Sequence, residues 1–345
     1  MSERVRIGII GAGSFTRHRL LPTLLAIPGV EVVAVANRSL ASSERVAEEF
    51  DIPAALGDWR SVLTRDDVDA VLVGTPPYFH HQAVIGALDA GKHVLCQTRM
   101  AISLHEAREM LRKVRETGLK AMLVRAAAYT RAHRYVKHLL DTGYLGQVRQ
   151  VFAHYFVPSY VDGKAPLQRH QDHRSFGVIN PMALGIYWDV LRPWFGDPER
   201  VLAWEKIFTR QRTDGPDGPP ITIEMPDAIT VIAEMGGGPV ITCVQTGVAL
   251  FGQERIEIFG EEGTLVYPAR GDLLGARKGE EGLRPLTIPG EFEDSLQVEE
   301  DFVRLVRGEI AEAGLTFYDG VKNIEFLEAA HRSAVEGRWV ELPLP

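Results

Sequence analysis

The sequence predicts an α/β protein. Its first part is a doubly wound parallel sheet, and its second part is an α+β domain with an open, largely antiparallel sheet. Short runs of Val, Ile and Leu alternate with helical patterns up to residue 124, and a glycine-rich turn follows the first run. Beyond residue 124, strand-like segments follow one another with few helices between them. We therefore predict two domains, 1–124 and 125–345, with the C-terminal segment able to pack back on the first.

The apolar runs of the first domain are continuous rather than alternating. Continuous apolarity is typical of strands that are covered on both faces, as in a parallel sheet. Helical patterns separate the runs, and the spacing of Ser103 and Glu106 predicts a capping box at the start of one helix. The predicted strands are VRIGII (5–10), VEVVAVA (30–36), AVLVG (70–74), HVLC (93–96) and AMLV (121–124).

The later part of the chain has the pattern of an antiparallel sheet. Glu261-Glu262-Gly263 and Gly236-Gly237-Gly238 have the composition of hairpin turns between strand-like segments. A long polar loop spans 158–176. The predicted strands are 148–157, 200–210, 227–235, 239–249, 255–260 and 263–267, and the predicted helices are 181–195, 295–307 and 318–336.

Composition limits the classes of partner. The 345 residues carry a formal net charge of −8 with no basic cluster, which argues against a nucleic-acid or anionic-membrane partner. No apolar run has the length of a membrane span or the form of a signal peptide, and the two cysteines suggest no disulfide framework. We therefore expect a cytoplasmic protein whose partner is a small-molecule substrate.

A glycine-rich turn, GIIGAG, follows the first predicted strand and precedes a predicted helix. Gly11 and Gly13 let the chain turn tightly, bring the backbone close to a pyrophosphate and direct the helix N-terminus at it. Thr16 stands where the dinucleotide-binding fingerprint has a third small residue. The pattern predicts the nucleotide-binding loop of a Rossmann domain; the alternative is a glycine-rich turn in a sheet without a ligand. The residues assigned to this loop are Gly8, Gly11, Gly13, Ser14 and Phe15.

The end of the second predicted strand bears on the choice of cofactor. A carboxylate there would hydrogen-bond the adenosine ribose of NAD and repel the additional phosphate of NADP. Asn37 carries no charge, whereas Arg38 offers a guanidinium fork and Ser39 a hydroxyl, both suited to a phosphate. The three residues favour NADP(H), with NAD(H) possible. The alternative is that Arg38 is merely solvated beside the adenine.

The sequence resembles the Gfo/Idh/MocA oxidoreductases, relatives of glucose–fructose oxidoreductase and inositol dehydrogenase. The stretches that carry the resemblance are GIIGAG (8–13), VGTPPYFHHQAVIGALDAGKHVLCQTRMA (73–101) and HRSAVEGRWVELP (331–343). The resemblance implies an N-terminal Rossmann domain, a C-terminal open-sheet domain, NAD(P) in the cleft between them, and polyol or sugar substrates. It also implies a homodimer or homotetramer that pairs through the open sheet.

The resemblance implies cofactor contacts beyond the glycine-rich turn. Thr75 and Pro76 match the family's turn near the nicotinamide ribose. His80 matches the family's histidine, although Pro77 stands where the family has asparagine. Gln97 takes the position of the glutamate in the family's Glu-Lys-Pro tripeptide and can still hydrogen-bond a ribose. All but Pro77 are expected cofactor-binding residues.

The catalytic positions depart from the family pattern. Thr98 stands in place of the catalytic lysine and Arg99 in place of the proline, while Tyr187 takes the position of the histidine in a downstream motif. An alkyl hydroxyl barely ionises and a guanidinium stays protonated, so neither replaces lysine as an acid/base. We predict Tyr187 as the acid/base, with Arg99 and Thr98 polarising the substrate oxygen. The alternative is that Tyr187 is a core aromatic on a helix face.

The polar loop 158–176 and the residues after it supply predicted substrate contacts. Arg169 and His173 lie within it, and Asn180 follows it. Such groups would suit an acidic or hydroxyl-rich sugar, although a solvated loop is an equal alternative. His170 and His173 are two imidazoles without recognisable spacing to further metal ligands, so we predict no metal site.

Two functions from different classes fit the sequence. The first is an NAD(P)-dependent oxidoreductase that transfers a hydride between nicotinamide and a CH–OH group of a sugar, polyol or sugar acid. The second is a nucleotide-binding sensor or regulator of the same fold without redox turnover. Tyr187 and the polar loop favour the first function, and Thr98 at the lysine position favours the second. We predict the oxidoreductase.

Overall fold

The computed structural model describes residues 4–124, 132–213, 218–292, 298–312 and 314–345. Contacts between residues divide the chain into two compact units. Unit 1 includes a segment from late in the chain. The domain limits predicted from the sequence, 1–124 and 125–345, stay a prediction. Unit 1 comprises Met1–Arg125 and Leu296–Ile324, and unit 2 comprises Ala126–Ser295 and Glu325–Pro345.

Unit 1 contains the parallel sheet that the continuous apolar runs predicted. The order of its strands reverses between the first and the fourth, which is the place where doubly wound sheets bind their ligands. The six parallel strands are β1 (Val5–Ile10), β2 (Val30–Ala36), β3 (Ala54–Leu56), β4 (Ala70–Val73), β5 (His93–Gln97) and β6 (Ala121–Val124). They lie in the order β6-β5-β4-β1-β2-β3.

Helices follow most of these strands, and Ser103 caps one of them as predicted, although the Glu106 carboxylate meets Ile102 N rather than Ser103 N. Ser103 Oγ accepts a hydrogen bond from Glu106 N at 3.3 Å, and the Glu106 carboxylate accepts one from Ile102 N at 3.2 Å. Gly118 ends the same helix with a φ of 66°. The helices are α1 (Leu21–Ala26), α2 (Leu40–Glu49), α3 (Arg60–Leu63), α4 (His80–Asp89) and α5 (Leu104–Thr117). A π-helical turn, Thr16–Leu20, leads into α1, and a 3-10 turn, Pro77–Phe79, leads into α4.

Unit 2 contains a largely antiparallel open sheet, as predicted. Its next strands along the chain are β7 (Val148–Phe156), β8 (Arg200–Lys206), β9 (Gln211–Thr213), β10 (Pro220–Thr222), β11 (Ala228–Glu234), β12 (Val240–Thr246), β13 (Glu254–Gly260), β14 (Gly263–Pro268), β15 (Leu274–Arg277) and β16 (Arg284–Pro285). The last two strands of the chain belong to different sheets. β17 (Leu315–Thr316) pairs with β6 in the sheet of unit 1, and β18 (Val340–Glu341) pairs with β8 in the sheet of unit 2.

The sheet of unit 2 has the order β16-β15-β14-β13-β7-β12-β11-β8-β18, while β9 and β10 form a separate hairpin. Every pairing in the larger sheet is antiparallel except that of β7 with β12. Both predicted hairpin turns are confirmed, since β11 turns into β12 and β13 into β14 at those glycines. Strands such as β9, β10 and β16 were not predicted, because two or three residues are too few to show alternation.

Helices cover one face of the sheet in unit 2. The inward-facing residues of β7 and β12, such as Val151 and Ile241, are buried. Trp188 stacks on Phe326 with ring centroids 3.8 Å apart, which joins two of the covering helices. The helices that lie wholly in unit 2 are α6 (His133–Asp141), α7 (His173–Phe176) and α8 (Leu184–Phe195). Of the last two helices, α9 (Val298–Arg307) belongs to unit 1, and α10 (Phe317–Glu336) begins in unit 1 and continues in unit 2. Within the ranges given above, no helix is long and apolar enough to cross a membrane.

Candidate functional site

The glycine-rich turn after β1 contains two glycines with different roles. Packing within the chain requires a glycine at position 11, whereas the glycine at position 13 leaves open space. Gly11 has a φ of 87°, and a Cβ there would lie 2.5 Å from Thr75 Cγ2 and 2.8 Å from Thr75 N. A Cβ at Gly13 would meet no described atom closer than 3.9 Å, and this residue is exposed. Packing within the chain thus explains Gly11 but not Gly13. The missing side chain at Gly13 leaves room for a group that approaches from outside.

Gly8 has a packing explanation. It lies inside β1, and a Cβ there would overlap Val62 of α3 and lie 3.3 Å from a methyl group of Val68. The absence of a side chain therefore lets α3 pack closely on the sheet. This contact is internal to unit 1, in contrast to the exposed position of Gly13.

A helical segment begins at Ser14, directly after the turn. The N–H groups in a first helical turn have no acceptor within the helix, and the helix dipole makes this end positive. Ser14 and Phe15, both predicted cofactor residues, are exposed here. The Ser14 hydroxyl lies 3.2 Å from His18 Nδ1, so the hydroxyl is used locally. The arrangement suits an anion, which the backbone rather than the side chains would bind.

The three residues predicted to select the cofactor are used in different ways. Asn37 Oδ1 accepts from Ala12 N of the glycine-rich turn at 2.7 Å, and Asn37 Nδ2 donates to Ser42 O of α2 at 3.1 Å, so both ends of the amide are used within the chain. Ser39 Oγ caps α2 by accepting from Ser42 N at 3.3 Å. Arg38 is exposed and makes no hydrogen bond or ion pair with the described residues. Only Arg38 of the three has an uncommitted side chain.

Polar groups also meet at the carboxyl ends of β4 and β5. Gln97 Nε2 donates to Thr16 Oγ1 at 3.0 Å, and Thr16 Oγ1 donates to Gly11 O at 3.3 Å, which ties β5 to the glycine-rich turn. Thr75 Oγ1 is buried and has no hydrogen-bond partner among the described residues. Pro76 follows at the start of the 3-10 turn. A buried hydroxyl without a partner is costly, so Thr75 marks a place where a ligand would supply one.

His80 is fully buried, and both of its ring nitrogens face backbone carbonyls. Nε2 lies 2.7 Å from Thr75 O, and Nδ1 lies 2.9 Å from Arg99 O and 3.3 Å from Met100 O. Burial lowers the pKa of His80, and this effect outweighs the three carbonyl contacts, which raise it. The ring nitrogens are therefore occupied by the chain itself. The sequence predicted that His80 contacts the cofactor directly. In the structure, neither ring nitrogen is available for such a contact.

Thr98 and Arg99 follow β5. Thr98 is half-buried, and only 7% of Arg99 is exposed. The peptide bond between them is cis. A guanidinium stays protonated in proteins, so Arg99 supplies a largely buried positive charge and Thr98 a neutral hydroxyl. The pair can polarise or bind an oxygen atom, but it contains no group that titrates near neutral pH.

Tyr187, the predicted acid/base, belongs to α8 in unit 2. Its side chain is fully buried, and its hydroxyl donates to His154 O at 3.0 Å. The Tyr155 ring packs edge-on against it at 5.8 Å. These contacts are those of a tyrosine whose hydroxyl satisfies a strand carbonyl, which favours the core-aromatic alternative. An acid/base role would require the hydroxyl to leave that carbonyl.

The predicted substrate residues lie in unit 2. His173 Nε2 is 3.3 Å from Glu224 Oε2, and Asn180 Nδ2 donates to Phe176 O at 2.6 Å. Asn180 is buried, whereas His173 is half-buried. The side chain of Arg169 lies outside what the structure describes. Of these residues, the structure links Asn180 to α7, which begins at His173.

Gln245 on β12 was missed by sequence reasoning. Its side chain is only 1% exposed, and its Oε1 accepts from Ala183 N at 3.1 Å, directly before α8. Its Nε2 is buried without a hydrogen-bond partner in the described residues. The signal in the sequence was an amide in register with the inward-facing Ile241 and Cys243 of VITCVQT. Because polar residues on a covered strand face need partners, Gln245 is a further candidate for binding a ligand.

Two family models match most of this chain. The first, described as an oxidoreductase family with an NAD-binding Rossmann fold, matches residues 5–124. The second, described as the GFO/IDH/MocA C-terminal domain, matches residues 133–266. The two matches cover the glycine-rich turn and the ends of β4 and β5 in unit 1, and α8 with β7 and β12 in unit 2.

Curated relatives include sugar-acting enzymes. The chain is 34% identical over 187 residues to a dTDP-3,4-didehydro-2,6-dideoxy-alpha-D-glucose 3-reductase from Saccharopolyspora spinosa, and the match covers 54% of each chain. The match thus spans about half the length of that reductase. An uncharacterized oxidoreductase from Rhizobium meliloti is 31% identical over 75% of this chain and 72% of its own. Levoglucosan dehydrogenase from Pseudarthrobacter phenanthrenivorans is 26% identical over 99% of both chains.

Solved structures share the fold at low sequence identity. Levoglucosan dehydrogenase in complex with NADH and L-sorbose has a TM-score of 0.87 at 21% identity, with 100% of both chains covered. Aldose-aldose oxidoreductase from Caulobacter crescentus, complexed with glycerol, has a TM-score of 0.79 at 23% identity, covering 98% of this chain and 100% of that one. These likenesses confirm the predicted fold class.

Proposed function

Because the chain belongs to the Gfo/Idh/MocA oxidoreductase family, we propose that it is an NAD(P)-dependent enzyme that acts on a CH–OH group of a small polyhydroxylated compound. A sugar, polyol or sugar acid is the proposed substrate class. The observation that carries the proposal is Gly13, an exposed glycine at a helix N-terminus whose missing side chain no internal packing explains. The sugar-acting enzymes among the relatives support the substrate class.

Residues of unit 1 fit a nicotinamide dinucleotide. The backbone at Gly13, Ser14 and Phe15 would hold the pyrophosphate, because this helix end offers N–H groups and a positive dipole. Thr75 Oγ1, buried without a partner among the described residues, would hydrogen-bond the cofactor. The nicotinamide, when bound, accepts or returns a hydride.

We propose that the protein accepts NADP(H) through Arg38 and also binds NAD(H). The amide of Asn37 and the hydroxyl of Ser39 are used within the chain, so recognition of the additional phosphate would depend on Arg38 alone. A single exposed guanidinium supports a modest preference, since exposed charge pairs contribute little free energy. NADH in the complexes of levoglucosan dehydrogenase supports NAD(H) as an alternative.

In the proposed reaction Tyr187 would move the proton, and Arg99 would stabilise the negative charge on the substrate oxygen. A buried guanidinium at the end of β5 would attract the negative charge that develops on a substrate oxygen, and the Thr98 hydroxyl would orient that oxygen. Tyr187 would exchange a proton at its Oη after its hydrogen bond to His154 O breaks. Breaking this bond adds to the free-energy cost of proton transfer by Tyr187.

A nucleotide sensor without turnover is the second candidate. It is favoured by two observations: Thr98 cannot titrate, and the Tyr187 hydroxyl is bound to a carbonyl of its own unit. In this case the dinucleotide site of unit 1 would be used for binding alone. The two candidates share their cofactor and differ in whether any substrate is oxidised.

The test is a titration of the purified protein with NADH and with NADPH, followed by a substrate screen. Quenching of tryptophan fluorescence reports binding, and the absorbance of the reduced nicotinamide reports turnover on sugars, polyols and sugar acids. Binding with turnover supports the oxidoreductase, and binding with no turnover across the three classes supports the sensor. No binding of either dinucleotide would overturn both.

A further inference from the structure

His80 stands between two segments that carry the proposed cofactor and catalytic groups. On one side, its Nε2 contacts the carbonyl of Thr75, the residue whose buried hydroxyl has no partner in the described part of the chain. On the other side, its Nδ1 contacts the carbonyls of Arg99 and Met100, which directly follow Thr98. All of these residues belong to unit 1. One buried ring therefore joins the turn after β4 to the segment after β5.

The contacts are made to backbone atoms, so they fix the course of the chain. The Thr75 carbonyl belongs to the same residue as the hydroxyl proposed to meet the dinucleotide, and the Arg99 carbonyl belongs to the residue whose guanidinium is proposed to meet the substrate oxygen. Neither segment is part of a strand at these points, so no ladder hydrogen bonds hold them. A change of about 1 Å between such groups is enough to reduce catalysis strongly.

We infer that His80 is a positioning residue: its imidazole holds the cofactor-facing turn at Thr75 and the oxygen-binding segment at Arg99 at a fixed separation. The inference rests on the proposed function in one respect, which is the identity of the ligands that the two segments bind. The pair of contacts itself is a property of unit 1. His80 acts through Thr75 and Arg99 and touches no substrate.

The two contacts can be removed one at a time. The side-chain nitrogen of asparagine is as many bonds from Cα as His Nδ1, and that of glutamine as many as His Nε2. His80→Asn therefore keeps a nitrogen only at the position that contacts Arg99 O, and His80→Gln only at the position that contacts Thr75 O. The neutral imidazole of the unaltered protein carries one N–H, so it donates to one of these carbonyls and packs against the other. The neighbouring His81 provides the matched control, because it is half-buried and pairs with Glu109 at 2.9 Å, away from both carbonyls.

Hydrogen exchange of the unliganded protein is the first measurement, since it does not depend on the proposed function. We expect His80→Asn to raise exchange in residues 74–79 and leave residues 97–101 protected, and His80→Gln to do the reverse. His81→Asn and His81→Gln should leave both segments unchanged. In cofactor titrations, His80→Asn should weaken NADH binding by about tenfold, while His80→Gln should mainly lower kcat.

Two exchange patterns would overturn the inference. In the first, both His80 variants raise exchange equally in both segments, which would make His80 an ordinary core histidine. In the second, neither His80 variant differs in exchange from the His81 variants, which would mean that the His80 contacts do not hold the two segments. In either case, NADH binding by the unaltered protein would leave the proposed function intact. If that protein binds neither dinucleotide, the proposed function fails, and the exchange pattern still decides the role of His80.

Discussion

The strand ends of unit 1 and the start of α8 in unit 2 use their polar groups differently. In unit 1, Thr75 Oγ1 and the Arg38 guanidinium have no hydrogen-bond partner in the described residues, and Gly13 leaves open space at a helix N-terminus. In unit 2, Tyr187 donates to His154 O and His173 lies against Glu224. The first region is prepared for a ligand, whereas most groups of the second are bound to their own chain.

This difference separates two parts of the proposed function. Nucleotide binding depends on backbone geometry that is already formed, so it needs little reorganisation. Proton transfer depends on Tyr187, whose hydroxyl must first leave a carbonyl. The comparison therefore supports dinucleotide binding more strongly than it supports the predicted acid/base.

The largest expected effect is that of Tyr187→Phe on turnover. If Tyr187 is the acid/base, the variant should lose a factor of about 10²–10⁴ in kcat, because a positioned proton donor contributes that much. The loss of the hydrogen bond to His154 O should also lower the free energy of unfolding by about 1 kcal/mol. Steady-state kinetics and urea unfolding measure the two effects.

Tyr144→Phe provides a control in the same unit, because Tyr144 packs against Arg277 and has no proposed role in the reaction. Full turnover by Tyr187→Phe together with the stability loss would mean that Tyr187 is a core aromatic. Proton transfer would then have to be assigned to another group. The difference between the strand ends of unit 1 and the start of α8 would then be larger.

Next in size is the effect of alanine at the two glycines of the turn. Gly11→Ala should lower the free energy of unfolding by about 1–3 kcal/mol, since its φ of 87° is strained for alanine and its Cβ would press on Thr75. Gly13→Ala should leave stability nearly unchanged and weaken dinucleotide binding. Urea unfolding and fluorescence titration distinguish the two variants. Unweakened binding by Gly13→Ala would remove the observation that carries the proposed function.

A smaller effect is expected for Arg38→Ala. We expect NADPH to bind about tenfold more weakly, a loss of about 1.4 kcal/mol, with little change for NADH, because the additional phosphate loses its only proposed partner. Arg45→Ala is the matched control, since Arg45 is another exposed cation of the same unit, on α2. Equal losses for both dinucleotides would contradict a phosphate contact and indicate instead that Arg38 packs beside the adenine.

The smallest effect is the pH dependence contributed by His80. Burial lowers its pKa from the ordinary value of 6.5, so the folded protein favours the neutral ring. The unfolded chain then binds more protons than the folded one between the folded pKa and 6.5, and stability falls as pH falls through this window. Urea unfolding at several pH values, with the profile of His80→Gln subtracted, isolates this contribution from the other histidines. A subtracted profile in which stability rises as pH falls would mean that the folded protein holds His80 as a cation.

Sequence patterns predicted the parts of the site that depend on local geometry. GIIGAG predicted the turn after β1, and the structure places Gly11 there with a positive φ. Ser103 and Glu106 predicted the start of α5. In each case a few consecutive residues determine the backbone, so their sterics and hydrogen bonds can be read from the sequence. The same reasoning assigned Gly8 to the cofactor-binding loop. The contact between Gly8 and Val62 forms only in the folded unit, so the sequence could not predict it.

The sequence by itself determined the α/β class, the glycine-rich turn and the absence of a carboxylate at Asn37, because residue type and short-range spacing fix these features. Only the tertiary structure decided that His80 joins Thr75 to Arg99, that Tyr187 binds His154 O, and that Gln245 meets the residue before α8. These contacts form between segments that lie 19 to 62 positions apart along the chain, apart from the one to Thr75. Which carbonyl meets a given side chain depends on how strands and helices pack, and packing is a property of the whole unit rather than of any short stretch.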